Sequence, residues 1–219
     1  MIPVIVSWSG GKDSALALQH ALANSEFDVV GLLTTVTAPY DRVSMHGVRA
    51  SLLRAQARAL GLPVLQVTIT ANCSNEDYEA ALRKQLDALR GSGICDVVFG
   101  DLFLADVRAY RERLHANANI NAHFPLWEQN TMELAHSFID AGFAAQLVCV
   151  DTRQLDERFC GRAYDRALLA ELPETCDPCG ERGEFHTFVF DGPIFNERVS
   201  FRTGETVNRD GFVFCDLIG

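Results

Sequence analysis

Apolar and polar positions alternate in blocks along the first two thirds of the chain. Pro3 to Ser7 is a short β-branched run, and Ala15, Leu18 and Leu22 then recur at helical spacing from Asp13 to about Ala23. Val29 to Val36 predicts a second strand. Leu53, Ala57 and Leu60 mark a helix that Gly61 and Pro63 stop. Val64 to Ile69 predicts a third strand, and Tyr78, Ala81/Leu82, Gln85/Leu86 and Leu89 give the most regular amphipathic stripe in the sequence. Ile94 to Phe99, His123 to Leu126 and Gln146 to Val150 read as further strands. Helices are expected over Ala105 to Ala116 and from Asn130, with Glu133 in capping-box position, to Gly142. Continuous apolar strands separated by helices predict a doubly wound parallel α/β sheet over residues 1–150, covered on both faces. Right-handed crossovers put its active edge at the C-terminal ends of the strands.

After about residue 151 the pattern changes. Arg162 to Leu172 reads as helix and ends at Pro173. Phe185 to Phe190, Arg198 to Phe201 and Gly211 to Cys215 read as strands, with turn chemistry at Thr203-Gly204 and Asn208-Arg209-Asp210-Gly211. Residues 151–219 thus predict a small C-terminal α+β cap on the first domain. Its edge strands leave a homodimer open.

Ser9-Gly10-Gly11-Lys12-Asp13-Ser14 falls where the first strand gives way to the first helix. Two glycines let backbone N–H groups approach an anion, the helix N-terminus adds partial positive charge, and Lys12 adds a full one. Ser9 and Ser14 offer hydroxyl donors to phosphate. Asp13 is out of place in an anion site unless it holds a metal ion or positions a nucleophile, which points to Mg²⁺. The spacing matches neither the Walker loop nor the dinucleotide fingerprint. A second cluster lies at residues 177–195, where Glu181, Glu184 and His186 have the chemistry to bind metal, recognise a cation or move protons. Cys176 and Cys179 form a C-x-x-C without a second pair at zinc spacing, so half a zinc site, a redox pair and ordinary or substrate-lining thiols are all readings, the last favoured.

Composition narrows the classes. Of 219 residues, 48% are apolar and 22% charged, a globular balance with enough chain to bury a core. Nineteen Lys and Arg against 29 Asp and Glu give a formal charge of −10, which counts against a generic nucleic-acid surface. No apolar run approaches the roughly 20 residues of a spanning helix, so no membrane partner is expected. The first basic residue, Lys12, follows the apolar start rather than preceding it, unlike a signal peptide. Seven irregularly spaced cysteines fit a reduced, cytoplasmic protein. Phe99, Phe103, Phe124, Phe138 and Phe143 read as core. Arg153, Arg158, Arg162 and Arg166 are offset by Asp151, Asp156, Glu157 and Asp165, as on a solvated face.

The hexapeptide resembles the PP-loop of the N-type ATP pyrophosphatases. Residues 184–193, Glu-Phe-His-Thr-Phe-Val-Phe-Asp-Gly-Pro, resemble the corresponding region of the diphthine–ammonia ligase family within that superfamily. Gly100-Asp101, Pro125-Leu126-Trp127 and Gly161-Arg162 follow in order, so the resemblance runs from Ser9 to about Phe195. It implies an adenine nucleotide alpha hydrolase-like fold and an AMP-forming ligase. A carboxylate is adenylated, pyrophosphate leaves, and ammonia attacks the acyl-adenylate. ATP and Mg²⁺ are the implied cofactors; no glutaminase domain fits, so free ammonia or a partner supplies the nitrogen. The resemblance assigns Ser9, Gly10, Gly11, Lys12 and Ser14 to pyrophosphate and Asp13 to Mg²⁺ or the nucleophile. It puts Thr34 and Thr35 at the adenine and Gly100 and Asp101 at the same edge, Asp101 orienting substrate or metal or capping a helix. Glu181, Glu184 and His186 meet the activated acid or the amine, with Arg162 and Cys179 on the substrate side. Met45-His46-Gly47-Val48-Arg49 resembles the shorter, bacterial-type relatives, which leaves the acceptor carboxylate open. His46 and Arg49 either close over the ligands or are solvated. A tRNA-modifying PP-loop enzyme and an ATP-binding regulator with slow or no hydrolysis remain as other classes.

Overall fold

The computed structural model describes residues 1–38, 42–43 and 47–219. Its first layer is a sheet of β1 (Ile2–Ser7), β2 (Phe27–Thr37), β3 (Arg42–Val43), β4 (Val64–Ile69), β5 (Asp96–Val98) and β6 (Asn121–His123). The parallel strands run in the order β4-β2-β1-β5-β6, while β3 turns back antiparallel along Val36 and Thr37 of β2. Strand order reverses direction beside β1, so the crevice between the ends of β1 and β5 is the topological switch point.

Alternation along the strands divides the interior in two. Val4 and Val6 of β1 face one core, with α1 (Lys12–Ala23) and α2 (Ala50–Leu60). Ile5 faces the other, with Leu82, Leu86 and Leu89 of α3 (Asn75–Gly91) and Leu114 of α4 (Ala105–Ala116). The predicted stripe from Tyr78 to Leu89 is thus the cover of one face, and the doubly wound expectation holds. Gly61 ends α2 in the left-handed conformation at φ 69°, and Asn130 accepts from the Glu133 N–H at 3.0 Å at the head of α5 (Thr131–Asp140).

The C-terminal third departs from the expectation in several places. Gln146 to Val150 does not close the parallel series. It lies in β7 (Ala144–Asp151), at the middle of an antiparallel sheet ordered β8-β7-β10-β9, with β8 at Phe185–Asp191, β9 at Arg202–Arg209 and β10 at Phe212–Ile218. An apolar run reads alike in either sheet; pairing with β8 and β10, far along the chain, decides it. The last helix, α6 (Arg166–Glu171), begins only after Asp165, which caps it by accepting from the Leu168 N–H at 2.8 Å. The strand expected at His123 to Leu126 is instead β6 at Asn121–His123, and a turn follows it through Pro125. Arg198 to Phe201 is not a strand, and Thr203-Gly204 lies inside β9 rather than in a turn. Gly204 sits where the β9–β10 register shifts between Thr203 and Thr206, so its signal marks a bulge rather than a turn. The Asp210-Gly211 turn is as predicted: both residues have positive φ, 53° and 84°, and join β9 to β10 as a two-residue hairpin.

The second sheet packs on the α1 and α2 side of the first, sharing one core that includes Phe185 and Phe188. That places β8 directly against the first loop.

Candidate functional site

Everything in the site radiates from the β1–α1 turn. Gly10 takes φ +83°, and a Cβ on it would meet Gln56 Oε1 at 2.7 Å, so only glycine fits. Gly11 is the N-cap of α1 and, having no side chain, makes no capping bond of its own. First-turn N–H groups there are suited to an anion. Ser14 Oγ donates to Gly11 O at 2.8 Å and lies 3.2 Å from Ser9 Oγ, which accepts from the Gly11 N–H. The Lys12 N–H is committed inward, donating to Thr187 Oγ1 of β8 at 3.1 Å. The loop is therefore braced by the second sheet.

Lys12 is 3% exposed. Its Nζ donates to Asp13 Oδ2 at 2.9 Å and to the Cys179 carbonyl, and sits 5.8 and 5.5 Å from the ring centres of Tyr164 and Phe185. Burial works against the ammonium, but Asp13, Cys179 and Glu181 together outweigh it and raise Lys12 above its ordinary pKa. Burial also pushes Asp13 up, with Lys12 opposing. The pair thus keeps the lysine charged while the carboxyl does not fully recover its cost of burial. Asp13 Oδ1 has no hydrogen-bond partner among the described residues, so one carboxylate oxygen is available to a cation. Among the described residues no group of three or more His, Cys, Asp or Glu could hold a metal. Mg²⁺ is nevertheless commonly held by one or two carboxylates plus phosphate oxygens and water, and the Asp13 donor fits that mode.

Opposite the loop, residues 179–181 and 185–187 form the wall of a cleft of about 220 Å³ that includes Lys12, Asp13, Gly100, Asp101, Glu181 and His186. Asp177 shapes this wall: its Oδ1 accepts from the N–H groups of Cys179 at 2.9 Å and Glu181 at 3.3 Å. Glu181 Oε1 accepts from the Leu102 N–H at 2.9 Å. Burial, reinforced by the nearby Asp13 and Asp101 charges, pushes Glu181 up to about 7 against that hydrogen bond. Burial and the Lys12 charge push His186 down to about 4, so its imidazole is neutral at pH 7.

A second cleft of about 320 Å³ opens from the first through Ser7, Ser9, Phe99 and Arg111. Thr34, Thr35, Val67, Ile69 and His115 are among its lining residues. The two clefts together run along the C-terminal edge of the parallel sheet, one at the helix N-terminus and one beyond the ends of β2 and β4.

Sequence comparison decides what family this edge belongs to. Residues 2–120 match the model of the diphthamide synthase N-terminal domain and residues 130–217 that of the C-terminal domain. The chain belongs to the diphthamide synthase family. Curated relatives named diphthine–ammonia ligase include those of Homo sapiens, 24% identical over 95% of this chain and 86% of theirs, and Danio rerio, 26% identical over 95% and 90%. The Schizosaccharomyces pombe relative is 23% identical over 95% of this chain, which spans 38% of that longer protein. A solved structure titled a predicted subunit of tRNA methyltransferase from Methanocaldococcus jannaschii aligns with 67% of this chain and 78% of its own at a TM-score of 0.43 and 18% identity.

Of the residues expected to serve this family site, the structure brings Ser9, Lys12, Asp13, Ser14, Gly100, Asp101, Cys179, Glu181 and His186 around the first cleft and Thr34 and Thr35 into the second. Asp101 does not cap α4, whose N-cap is Leu104; its Oδ1 accepts from Arg111 Nε at 3.0 Å. Cys179 reaches Lys12 through its backbone carbonyl, and burial pushes the Cys176 and Cys179 thiols to about 12, leaving both protonated. Glu184 does not line the cleft. It is 1% exposed, and its Oε1 accepts from the Asp177 N–H at 2.8 Å, so it holds the wall in shape. Arg49 pairs with Asp216 at 2.6 Å and Arg162 with Glu171 at 2.7 Å, and neither arginine lines either cleft. His46 lies outside the described residues.

Gln56 was not legible as a site residue. Fully buried, it donates through Nε2 to Gly10 O at 3.0 Å and Val189 O at 2.6 Å, and its Oε1 accepts from Trp8 Nε1 at 3.0 Å. The one available signal was a glutamine on the apolar side of a helix, beside Leu53, Ala57 and Leu60. Thr187 and Asp177 carried no signal beyond lying in the second motif.

Proposed function

We propose that this protein is an ATP-dependent ligase of the diphthine–ammonia ligase type, which adenylates a carboxylate and converts it to an amide with ammonia. The observation that carries the reading is that Lys12, Asp13 and Ser14 of the first turn of α1 share with Glu181 a cleft that continues into a second cavity. ATP lies along both, its β- and γ-phosphates at the helix start and Lys12, its adenosine toward Thr34 and Thr35. The acceptor carboxylate oxygen attacks the α-phosphorus and the bond to pyrophosphate breaks. Ammonia then attacks the acyl carbon, AMP leaves, and the surplus proton goes to a base. Asp13, through its free Oδ1, would hold Mg²⁺, which supplies charge neutralisation for the leaving pyrophosphate. Glu181 is the base: a carboxylate titrating near 7 is matched to the proton it takes, whereas an imidazole near 4 is a weak acceptor. His186 serves as a neutral hydrogen-bonding group.

All seven cysteines are free, which supports a reducing, cytoplasmic setting. No described helix is long and apolar enough to cross a membrane. The acceptor, by analogy with the relatives' name, is a protein-borne diphthine-like carboxylate.

The test is production of labelled AMP from α-labelled ATP with Mg²⁺, ammonium and a nucleotide-free cell extract. AMP formation that requires both ammonium and Asp13 is expected; ATP consumption indifferent to ammonium would overturn the ligase. The pH profile follows from Glu181. Only its ionised form accepts a proton, so kcat/KM for ammonium falls as pH drops through about 7. Glu181→Gln is expected to cost about a hundredfold and to remove that inflection. An unchanged profile in the variant would assign the proton elsewhere.

A further inference from the structure

Two buried polar atoms at the second cleft have no partner among the described residues: Thr34 Oγ1 on β2 and His115 Nε2 on α4. Both residues line the cavity, and they are only 4% and 2% exposed. The state of the ring is fixed by its other nitrogen. His115 Nδ1 lies 2.8 Å from the Arg111 carbonyl, which only accepts, so Nδ1 carries the hydrogen and donates. Nε2 is then a bare acceptor. Burial lowers the His115 pKa from its ordinary value, which keeps it so. Phe99 packs edge-on against the ring with centroids 4.9 Å apart, holding it in place. A buried acceptor left unpaired is costly and calls for a donor from inside the cavity.

We infer that His115 selects the purine: its Nε2 accepts a hydrogen bond from the exocyclic 6-amino group of adenine, with the Thr34 hydroxyl as the second polar contact to the base. This rests on the reading of the second cleft as the adenosine site. A 6-oxo purine presents an acceptor where His115 also presents one, so both lone pairs stay unpaired and the base is rejected. The discrimination is thus built from a helix on the far face of the sheet, and it is carried by a fixed tautomer rather than by charge.

Equilibrium binding of ATP, inosine triphosphate and purine riboside triphosphate to the full chain tests this. The three ligands differ at position 6 as amino, oxo and hydrogen. Wild type is expected to prefer ATP over the inosine nucleotide by about tenfold or more, with the unsubstituted purine between them. His115→Leu keeps an apolar side chain against Phe99 and is expected to weaken ATP about tenfold while leaving the inosine nucleotide unchanged or tighter. Thr34→Val is expected to weaken all three together. Equal wild-type affinities for ATP and the inosine nucleotide would overturn the His115 assignment while leaving the ligase reading intact. If no nucleotide binds at all, both fall. The wild-type comparison decides the matter even if a variant does not fold.

Discussion

Gly100→Ala is expected to lower AMP formation by about a hundredfold or more without unfolding the protein. The backbone here is not in a glycine-only conformation; the constraint is space. A Cβ on Gly100 would stand 2.6 Å from the Asp13 carbonyl oxygen, 2.7 Å from its carbon and 3.0 Å from the Ser14 nitrogen. These are main-chain atoms of the first turn of α1, so relief requires moving the helix start away from the end of β5. A displacement on the order of 1 Å at the phosphate site costs about a hundredfold in rate through lost alignment alone. Overpacking of this kind costs about 1–3 kcal/mol of stability, which the fold can absorb. Gly91→Ala is the matched control: nothing lies within 4 Å of that Cβ, and it sits in the last turn of α3. Near-wild-type turnover in Gly100→Ala would mean that the β5–α1 approach does not set the loop geometry.

Gln56→Leu is expected to be the most destabilising single change near the site, by about 3–5 kcal/mol, and to lower the melting temperature by roughly 10 °C. The substitution is close in size but strips the Trp8 indole N–H of its acceptor and takes the amide donor from the Val189 carbonyl, while the Gly10 carbonyl keeps only the Val189 N–H. Each orphaned buried group costs about 1–3 kcal/mol. Gln56→Glu retains an acceptor for Trp8 but sets a carboxylate against two carbonyl oxygens, so it is expected to be no better. Denaturant unfolding of both variants gives the result directly. A loss under about 1 kcal/mol in Gln56→Leu would show that water replaces the amide.

The parallel layer and the first loop could be read from sequence because their signals are local. Gly61 ends α2, Asn130 starts α5, and the glycine pair, lysine, carboxylate and hydroxyls of the loop sit within six residues. What could not be read depends on pairing across long separations. Ala144–Asp151 looks like any buried strand until Phe185–Asp191 and Phe212–Ile218 flank it. Glu184 and Glu181 are equivalent by type and three residues apart. A hydrogen bond to Asp177 turns one into a brace, while a contact with Leu102 leaves the other in the cleft. His115 was one polar residue at the end of a helix, and only the Arg111 carbonyl reveals which nitrogen is free.

Two bonds tie the phosphate loop to β8, Val189 N–H to Gly10 O at 2.9 Å and Lys12 N–H to Thr187 Oγ1, and Gln56 of α2 bridges Gly10 O to Val189 O. The two family domains meet between residues 120 and 130, yet this seam runs across that division. A fragment ending there would keep the glycines and lose the struts that aim them. The halves are separable as units of descent but not as working parts, so a graft of the N-terminal half onto another scaffold would have to bring a replacement for one strand's edge.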